Sequence, residues 1–204
     1  MDAKAHWENI YQTKDAQQVS WYQAQPHTSL ALIRRAGLQP ADPIVDVGGG
    51  ASTLVDHLLA EGFAAVTVLD IAAAALDVAR QRLGARAQAV TWREADVTEA
   101  TLPPQAYALW HDRAVFHFLG RPEDRQRYMA QLQQALRPDG WVIMATFAPD
   151  GPNRCSGLDV TRYSAADLQT ELGPAFELIE ERPEAHLTPS GGEQKFLFSL
   201  WRRR

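Results

Sequence analysis

A short apolar run that ends in three consecutive glycines constrains this chain more than any other feature of its sequence. Ile44–Val47 has the composition of a buried strand and carries one acidic residue, Asp46. Gly48–Gly50 follow, and a helix is predicted over Thr53–Ala60. Glycines let a ligand approach the backbone closely, and the N–H groups at the start of a helix are free to bind it. The segment therefore predicts a nucleotide-type pocket at a strand-to-helix turn.

The spacing of the glycines separates the known classes of nucleotide site. A dinucleotide fingerprint needs a third glycine in the pattern G-x-G-x-x-G, and a phosphate-binding loop needs Gly-Lys-Ser/Thr; neither is present. The remaining pattern is D-x-G-x-G-x-S, formed by Asp46, Gly48, Gly50 and Ser52, with Gly49 inside it. It resembles the first motif of class I S-adenosylmethionine-dependent methyltransferases. A plain turn of a doubly wound sheet is the alternative, because such turns are often rich in glycine.

A second acidic residue follows at the end of the next predicted strand. Asp70 ends the apolar run Ala65–Leu69 and comes 20 residues after Gly50, close to the offset of the carboxylate that binds ribose in nucleotide-binding units. An ionised carboxylate can accept a hydrogen bond from each of two neighbouring hydroxyls. We therefore predict that Asp70 binds ribose, with Ile71 beside it in the cofactor site. The alternative is that Asp70 caps the helix predicted over Ala72–Leu83.

Two further segments resemble the same family, in the order of its fold. Asp96 and Val97 follow a third apolar stretch and resemble the corner where these enzymes bind adenine. The resemblance implies that the Asp96 carboxylate accepts from the exocyclic amine and that the N–H of Val97 meets the ring; a capped turn is the alternative. Pro138–Gly140 resembles the turn into the fifth strand. The matches span residues 43–147, and they imply S-adenosylmethionine as donor and S-adenosylhomocysteine as product.

The flanks of this core resemble a narrower group of proteins. They are similar to small bacterial methyltransferases whose eukaryotic relatives include the citrate synthase lysine methyltransferase. The segments that carry this similarity are residues 6–11, 19–22, 155–158 and 186–191. Trp21 and Tyr22 lie in a polar stretch and are predicted to close over the cofactor as a lid, with Trp21 on the cofactor and Tyr22, a catalytic candidate, on the acceptor. Packing of the N-terminal segment on the domain is the alternative.

The segment after the fourth predicted strand has the composition of an acceptor site. Residues 110–118 contain two histidines, two charged residues and three aromatic residues, and ligands of open α/β sheets bind at the carboxyl ends of strands. His117 is the predicted acid–base residue, because an imidazole titrates near neutrality; a packed structural histidine is the alternative. Asp112, also a catalytic candidate, and Arg113 are expected either to bind a polar substrate group or to pair with each other.

Composition narrows the class of partner. A net charge of −5 argues against nucleic acid, because binding to phosphates needs a positively charged face. No apolar run approaches the roughly 18 residues that cross a bilayer, and the start of the chain lacks a signal segment, so a soluble cytoplasmic protein without a membrane partner is expected. The single cysteine, Cys155, fits a reducing compartment, and no metal site is expected.

The alternation of predicted strands and helices indicates one doubly wound, Rossmann-like α/β domain over residues 1–204. Its seven-stranded sheet is expected to be mostly parallel, with strand 7 antiparallel. We assign residues 1–36 to an N-terminal lid with helices, 43–147 to the cofactor-binding core, and 148–204 to a substrate-side part with the edge strands. The predicted function is in-line methyl transfer to a small molecule or a protein side chain. The alternatives are a non-catalytic S-adenosylmethionine- or nucleotide-binding protein on the same fold, and an NAD-binding oxidoreductase.

Overall fold

The computed structural model describes residues 2–204, which contain six α-helices and nine strands. The helices are α1 (Ala3–Thr13), α2 (His27–Arg35), α3 (Leu54–Ala60), α4 (Ala73–Leu83), α5 (Pro122–Ala135) and α6 (Ala165–Leu172). The strands are β1 (Ile44–Val47), β2 (Val66–Asp70), β3 (Val90–Glu94), β4 (Tyr107–Arg113), β5 (Leu136–Phe147), β6 (Arg154–Cys155), β7 (Leu158–Asp159), β8 (Phe176–Leu187) and β9 (Glu193–Arg203). None of the helices in this part of the chain combines the length and apolar character needed to span a membrane.

Seven strands form one sheet in the order β3-β2-β1-β4-β5-β9-β8. β1 to β5 are parallel to one another, and β9 is antiparallel to both β5 and β8. β6 and β7 pair separately as a two-stranded hairpin. The predicted doubly wound sheet with an antiparallel last strand is therefore confirmed.

The central strands are hydrophobic on both sides because helices cover both faces of the sheet. Every residue of β1 and β2 is buried, as expected for parallel strands between two helical layers. One core contains side chains of α2, α3 and α4, such as Leu30 and Leu58; the other contains side chains of α5 and α6, such as Tyr128 and Leu168. β1 lies between β2 and β4, with β3 beyond β2 and β5 beyond β4. The order of the strands therefore reverses between β1 and β4, beside the glycine turn. Ligands of such sheets bind at this point.

The N-terminal segment contains a helix that the predicted elements omit. Asp2 caps α1, because its carboxylate accepts hydrogen bonds from the N–H groups of Lys4 (3.0 Å) and Ala5 (3.3 Å). Glu8 then caps a second helix, since its two carboxylate oxygens accept from Ala73 N (2.7 Å) and Ala74 N (3.1 Å) at the start of α4. The Glu8 contact fixes α1 against the core beside the end of β2.

The last hairpin is longer than the sequence pattern predicts. The two prolines and two glycines of Pro183–Glu193 predict a loop between the last two strands, but β8 continues to Leu187. Pro183 lies opposite Leu197 within the pairing of β8 with β9. β8 is an edge strand, where a missing N–H costs no interior ladder bond, so the proline is tolerated there.

Candidate active site

A cavity of about 640 Å³ lies at the carboxyl ends of the parallel strands. Residues from the ends of three neighbouring strands border it: Gly48 after β1, Asp70 and Ile71 at β2, and Asp96 and Val97 after β3. Sequence reasoning assigned all five to the cofactor, and the structure brings them together along one wall. Their common position follows from the parallel sheet, in which successive strands end at the same edge.

The glycine turn is needed because carboxylates occupy the space where side chains would be. A Cβ on Gly49 would lie 2.5 Å from Asp46 Oδ2, and a Cβ on Gly50 would lie 2.5 Å from Asp70 Oδ2. Gly50 also has a positive φ of 26°, which side chains disfavour. The turn therefore positions two carboxylates as well as exposing backbone.

Gly48 and Ser52 occupy the two ends of the same turn. Gly48 has φ of 65°, and a Cβ there would overlap the side chain of Val115. Ser52 is exposed, and its hydroxyl accepts a hydrogen bond from Leu54 N (3.1 Å) at the start of α3. Gly48 thus borders the predicted pocket, whereas Ser52 has the role of an ordinary residue at the start of a helix.

Asp70 is buried with its carboxylate between the cavity and α4. Its Oδ1 accepts from Ala72 N at 2.9 Å, in the turn that leads into α4, while the residue also borders the cavity. Burial raises the pKa of Asp70 to about 7, and the charges of Asp46 and Glu8 act in the same direction. A carboxyl with this pKa changes its protonation state near neutrality.

Asp96 combines the two roles that the sequence left as alternatives. Its Oδ1 accepts from the backbone N–H and the hydroxyl of Thr98, both at 2.8 Å, which forms a capped turn. The same residue borders the cavity together with Val97. The turn holds the Val97 backbone at the cavity wall.

A smaller cleft of about 50 Å³ lies on the other side of the glycine turn. Tyr22 borders this cleft, and Trp21 borders both spaces. Asp46 also lines the cleft: its Oδ1 lies 2.7 Å from His111 Nδ1, and His111 Nε2 lies 2.9 Å from Ser29 Oγ. Asp46 Oδ2 has no hydrogen-bond partner within residues 2–204. One oxygen of this buried carboxylate is therefore held in place while the other remains available.

Aromatic rings of the N-terminal segment form the opposite wall of the large cavity. Trp7 packs edge-on against Trp21 and Phe118, with ring centroids 5.7 and 5.2 Å apart, and Tyr11 lies 6.2 Å from Trp21. The indole N–H of Trp21 donates to the Tyr11 hydroxyl at 3.2 Å. Sequence reasoning did not assign Trp7 or Tyr11 to the site. Their spacing of four residues on a helix capped by Asp2 was the available signal.

Arg113 borders both spaces at the end of β4. Its Nη1 donates to the backbone carbonyl of Trp21 at 2.9 Å, and the centre of its guanidinium lies 4.7 Å from the ring of Phe196. Burial lowers its pKa to about 10. The expected alternative of an Asp112–Arg113 pair is wrong, because adjacent strand residues point to opposite faces of the sheet.

Asp112 and His117, the catalytic candidates, lie outside both spaces. Asp112 accepts from Val115 N (2.9 Å), Phe116 N (3.1 Å) and the hydroxyl of Tyr128 (2.6 Å), and burial raises its pKa to about 6. Its carboxylate holds together the turn that follows β4.

His117 is completely buried between the rings of Phe118 and Phe147, with centroids at 4.5 and 4.8 Å. Its Nδ1 accepts from Phe147 N at 3.3 Å, and burial lowers its pKa to about 3. The imidazole is therefore neutral at physiological pH. The arrangement matches the packed histidine that the sequence left open as the alternative.

Comparison with known proteins gives the same fold and places this chain among methyltransferases. A family model described as a methyltransferase domain matches residues 44–140. The chain is 30% identical over 171 residues to a malonyl-[acyl-carrier protein] O-methyltransferase of Anoxybacillus flavithermus, covering 80% of this chain and 62% of that protein. It is 22% identical over 148 residues to an eEF1A lysine and N-terminal methyltransferase of Danio rerio, covering 71% of this chain and 21% of that one.

A solved structure extends the likeness over nearly the whole chain. The 1,6-didemethyltoxoflavin-N1-methyltransferase of Burkholderia thailandensis, with bound 1,6-didemethyltoxoflavin and S-adenosylhomocysteine, superposes with a TM-score of 0.70 at 19% identity, over 98% of this chain and 84% of that one. The methyltransferase-domain match and the shared fold support the predicted resemblance to class I S-adenosylmethionine-dependent methyltransferases. The predicted family and its cofactor, S-adenosylmethionine, are confirmed. The chain spans 21% and 62% of the lengths of the two curated relatives.

Proposed function

We propose that the protein transfers a methyl group from S-adenosylmethionine to a small molecule or a protein side chain bound at the β4 end of the large cavity. The observation that carries this proposal is that one cavity extends from Asp96 past Asp70 and Gly48 to Arg113. Asp96, Asp70 and Gly48 match the family's motifs for binding adenosine. Arg113 lies at the end of β4, where acceptors are expected. Transfer is an in-line displacement, so the chain mainly has to align the acceptor with the donor and exclude water.

The wall residues suit the parts of the donor. S-adenosylmethionine supplies a methyl group activated by a positively charged sulfur. Asp70 presents an acceptor for ribose hydroxyls, while the side chains of Ile71 and Val97 give adenine an apolar surface. Trp7 and Trp21 cover the cavity from the side of α1, where their rings exclude water and attract a cation. We assign the N-terminal segment, with Tyr22 at its edge, to closing the site.

The acceptor half of the cavity offers no side chain suited to act as a base near neutral pH among residues 2–204. We define this half by its lining residues Trp7, Tyr11, Trp21, Arg113, Phe118, Cys155, Leu158 and Phe196. Burial raises the pKa of Cys155 to about 11 and that of Tyr11 well above its usual value. The acceptor atom should therefore carry its lone pair on arrival, as a carboxylate does.

Asp70→Ala should weaken binding of S-adenosylhomocysteine by roughly 1.5–3 kcal/mol, because hydrogen bonds from ribose to a charged acceptor are lost. Isothermal titration calorimetry measures this directly. Asp77→Ala is the matched control: Asp77 is an acidic residue on α4 whose partner is Arg80 (2.8 Å), and it lies outside the cavity. Equal losses in the two variants would reflect net charge alone and would remove Asp70 from the site.

Donor binding should strengthen as the pH rises towards neutrality. With the pKa of Asp70 near 7 in the free protein, only its ionised form accepts from both hydroxyls, so binding below pH 7 must release a proton. The affinity for S-adenosylhomocysteine should then fall roughly tenfold for each pH unit below 7 and level off above about 8. Calorimetry from pH 5.5 to 8.5 measures this slope. In Asp70→Asn the slope should disappear; its persistence would assign the titration to another group.

Activity and cofactor choice are tested in two steps. S-adenosylmethionine, but not NAD, should raise the melting temperature of the purified protein. Radiolabelled methyl from the donor should then enter either the small-molecule or the protein fraction of a cell lysate. A protein stabilised by NAD alone would support an oxidoreductase. Tight donor binding without transfer to any fraction would support a non-catalytic binding protein.

The relatives do not share one acceptor. One is named for a malonyl group on acyl carrier protein and the other for lysine and the N-terminus of eEF1A. The identity of the acceptor therefore has to be argued from the side chains of this chain's own cavity. The narrower likeness to the citrate synthase lysine methyltransferase remains a prediction, as do a cytoplasmic location and the expected lack of nucleic-acid and membrane partners.

A further inference from the structure

The guanidinium of Arg113 carries unused hydrogen-bonding capacity inside the cavity. Nη1 is bonded to the carbonyl of Trp21, but Nε and Nη2 are both buried and have no partner in residues 2–204. Buried donors on a charged group are normally satisfied, because leaving them unpaired costs free energy. Nε and Nη2 form one edge of the planar group, so the two free N–H groups point in the same direction. This edge matches the two oxygens of a carboxylate.

The carboxylates near Arg113 are bonded to other groups. Glu184 and Asp46 are close enough to raise the pKa of Arg113, but neither forms an ion pair with it among the described side chains. Glu184 accepts from Gln23 Nε2 at 3.0 Å, and Asp46 is bonded to His111. The Cys155 thiol stays neutral because burial raises its pKa to about 11. The guanidinium at this end of the cavity therefore lies near these carboxylates without a hydrogen bond to either of them.

We propose that the free edge of Arg113 binds a carboxylate in the acceptor half of the cavity. The half contains one guanidinium among the aromatic rings of Trp7, Trp21, Phe118 and Phe196. One cation in an aromatic pocket matches a monoanion with an apolar body, whereas a phosphate dianion would call for more positive charge. This inference rests on the proposed function, and it narrows the acceptor class to small carboxylic acids.

Two molecules could supply the carboxylate: the acceptor, or the donor through its amino-acid end. The sheet order favours the acceptor. Asp96 and Asp70 follow β3 and β2 on one side of β1, whereas Arg113 ends β4 on the other side. Its guanidinium lies against Phe196 of β9, further still from the adenosine residues in the order of the strands. The side chain thus extends towards the wall that faces the acceptor.

The test compares Arg113→Gln with the wild type in calorimetry with four compounds. S-adenosylhomocysteine carries the donor's carboxylate, and 5′-methylthioadenosine lacks the amino-acid end. Benzoate, titrated into the protein already saturated with S-adenosylhomocysteine, represents an acidic acceptor, and benzamide is its neutral counterpart. Arg202→Gln is the matched control, because Arg202 is on β9 and its guanidinium also lies over an aromatic ring (Trp141 of β5, 4.3 Å) but outside the cavity. Arg113→Lys keeps the charge without the planar edge.

We expect benzoate, but not benzamide, to bind the saturated wild type, and Arg113→Gln to lose this binding about 10- to 100-fold with the affinity for S-adenosylhomocysteine unchanged. Arg113→Lys should retain part of it, and Arg202→Gln all of it. If Arg113→Gln instead loses affinity for S-adenosylhomocysteine and keeps its affinity for 5′-methylthioadenosine, Arg113 binds the carboxylate of the donor. That result would overturn its assignment to the acceptor.

The proposal is overturned if benzoate does not bind the wild type and Arg113→Gln binds S-adenosylhomocysteine normally. Failure of both adenosine compounds to bind the wild type would instead overturn the proposed function, so the two failures are distinguishable. If Arg113→Gln does not fold, the comparison of benzoate with benzamide in the wild type and in Arg113→Lys still decides the question.

Discussion

Gly50→Val should abolish binding of S-adenosylmethionine. A Cβ at this position would lie 2.5 Å from Asp70 Oδ2 and 2.9 Å from Ala75 Cβ, so the new side chain must displace the carboxylate that is expected to hold ribose. The overlap and the positive φ of 26° together should cost roughly 3 kcal/mol or more, an affinity loss above about 100-fold. Calorimetry with S-adenosylhomocysteine, alongside circular dichroism to confirm folding, measures the effect.

Gly62→Val is the control for backbone strain. Gly62 has φ of 89°, and a Cβ there would meet no atom within 4 Å. Its replacement should lower the melting temperature and leave donor affinity intact. If Gly50→Val folds and binds the donor as the wild type does, the glycine turn does not shape the donor site, and the assignment of Asp70 fails with it.

Asp112→Ala should strongly destabilise the fold. The substitution leaves three buried donors without an acceptor, namely the N–H groups of Val115 and Phe116 and the hydroxyl of Tyr128. The expected loss in the free energy of unfolding is roughly 3–5 kcal/mol, measured by urea denaturation. Tyr128→Phe removes one of the three donors together with its bond but leaves the indole N–H of Trp110 without its acceptor (2.8 Å), so it should cost roughly 1–3 kcal/mol, less than Asp112→Ala.

The same experiment decides between the two roles considered for Asp112. A catalytic carboxylate would lose turnover in Asp112→Asn with little change in stability. A structural one would lose stability, while the molecules that remain folded would bind the donor normally. We expect the second result, because Asp112 borders neither the cavity nor the cleft.

The donor side of the site could be predicted closely because its residues are local to single strand ends. Asp70 ends the buried strand β2, Asp96 lies two residues after β3, and the sheet places both at one edge. The capped turn at Asp96 proved compatible with this placement, whereas Asp70 accepts from the N–H of Ala72, which precedes α4, and so does not cap that helix. An aspartate at the end of a strand thus predicted where the side chain lies, but it did not predict which single role the side chain has.

The segment after β4 was the hardest to interpret. Its histidines and charges are all of types that do chemistry, but their surroundings depend on residues far away in the sequence. His117 is buried by Phe147, and Asp112 is held by Tyr128. Composition could not show which of these polar groups already have hydrogen-bond partners inside the protein. The sequence therefore favoured His117 rather than Arg113 as a site residue.

The amino-acid sequence by itself determined the order of the seven strands of the main sheet, the glycine turn and the carboxylates in or just after β1, β2 and β3. These depend on hydrophobic periodicity and on the conformational freedom of glycine, which act over a few neighbouring residues. Tertiary structure alone decided that α1 covers the cavity, and that Arg113 faces it while Asp112 and His117 do not. The reason is that burial and hydrogen-bond satisfaction are set by contacts between segments far apart in the sequence, such as Arg113 with Trp21 and Phe196.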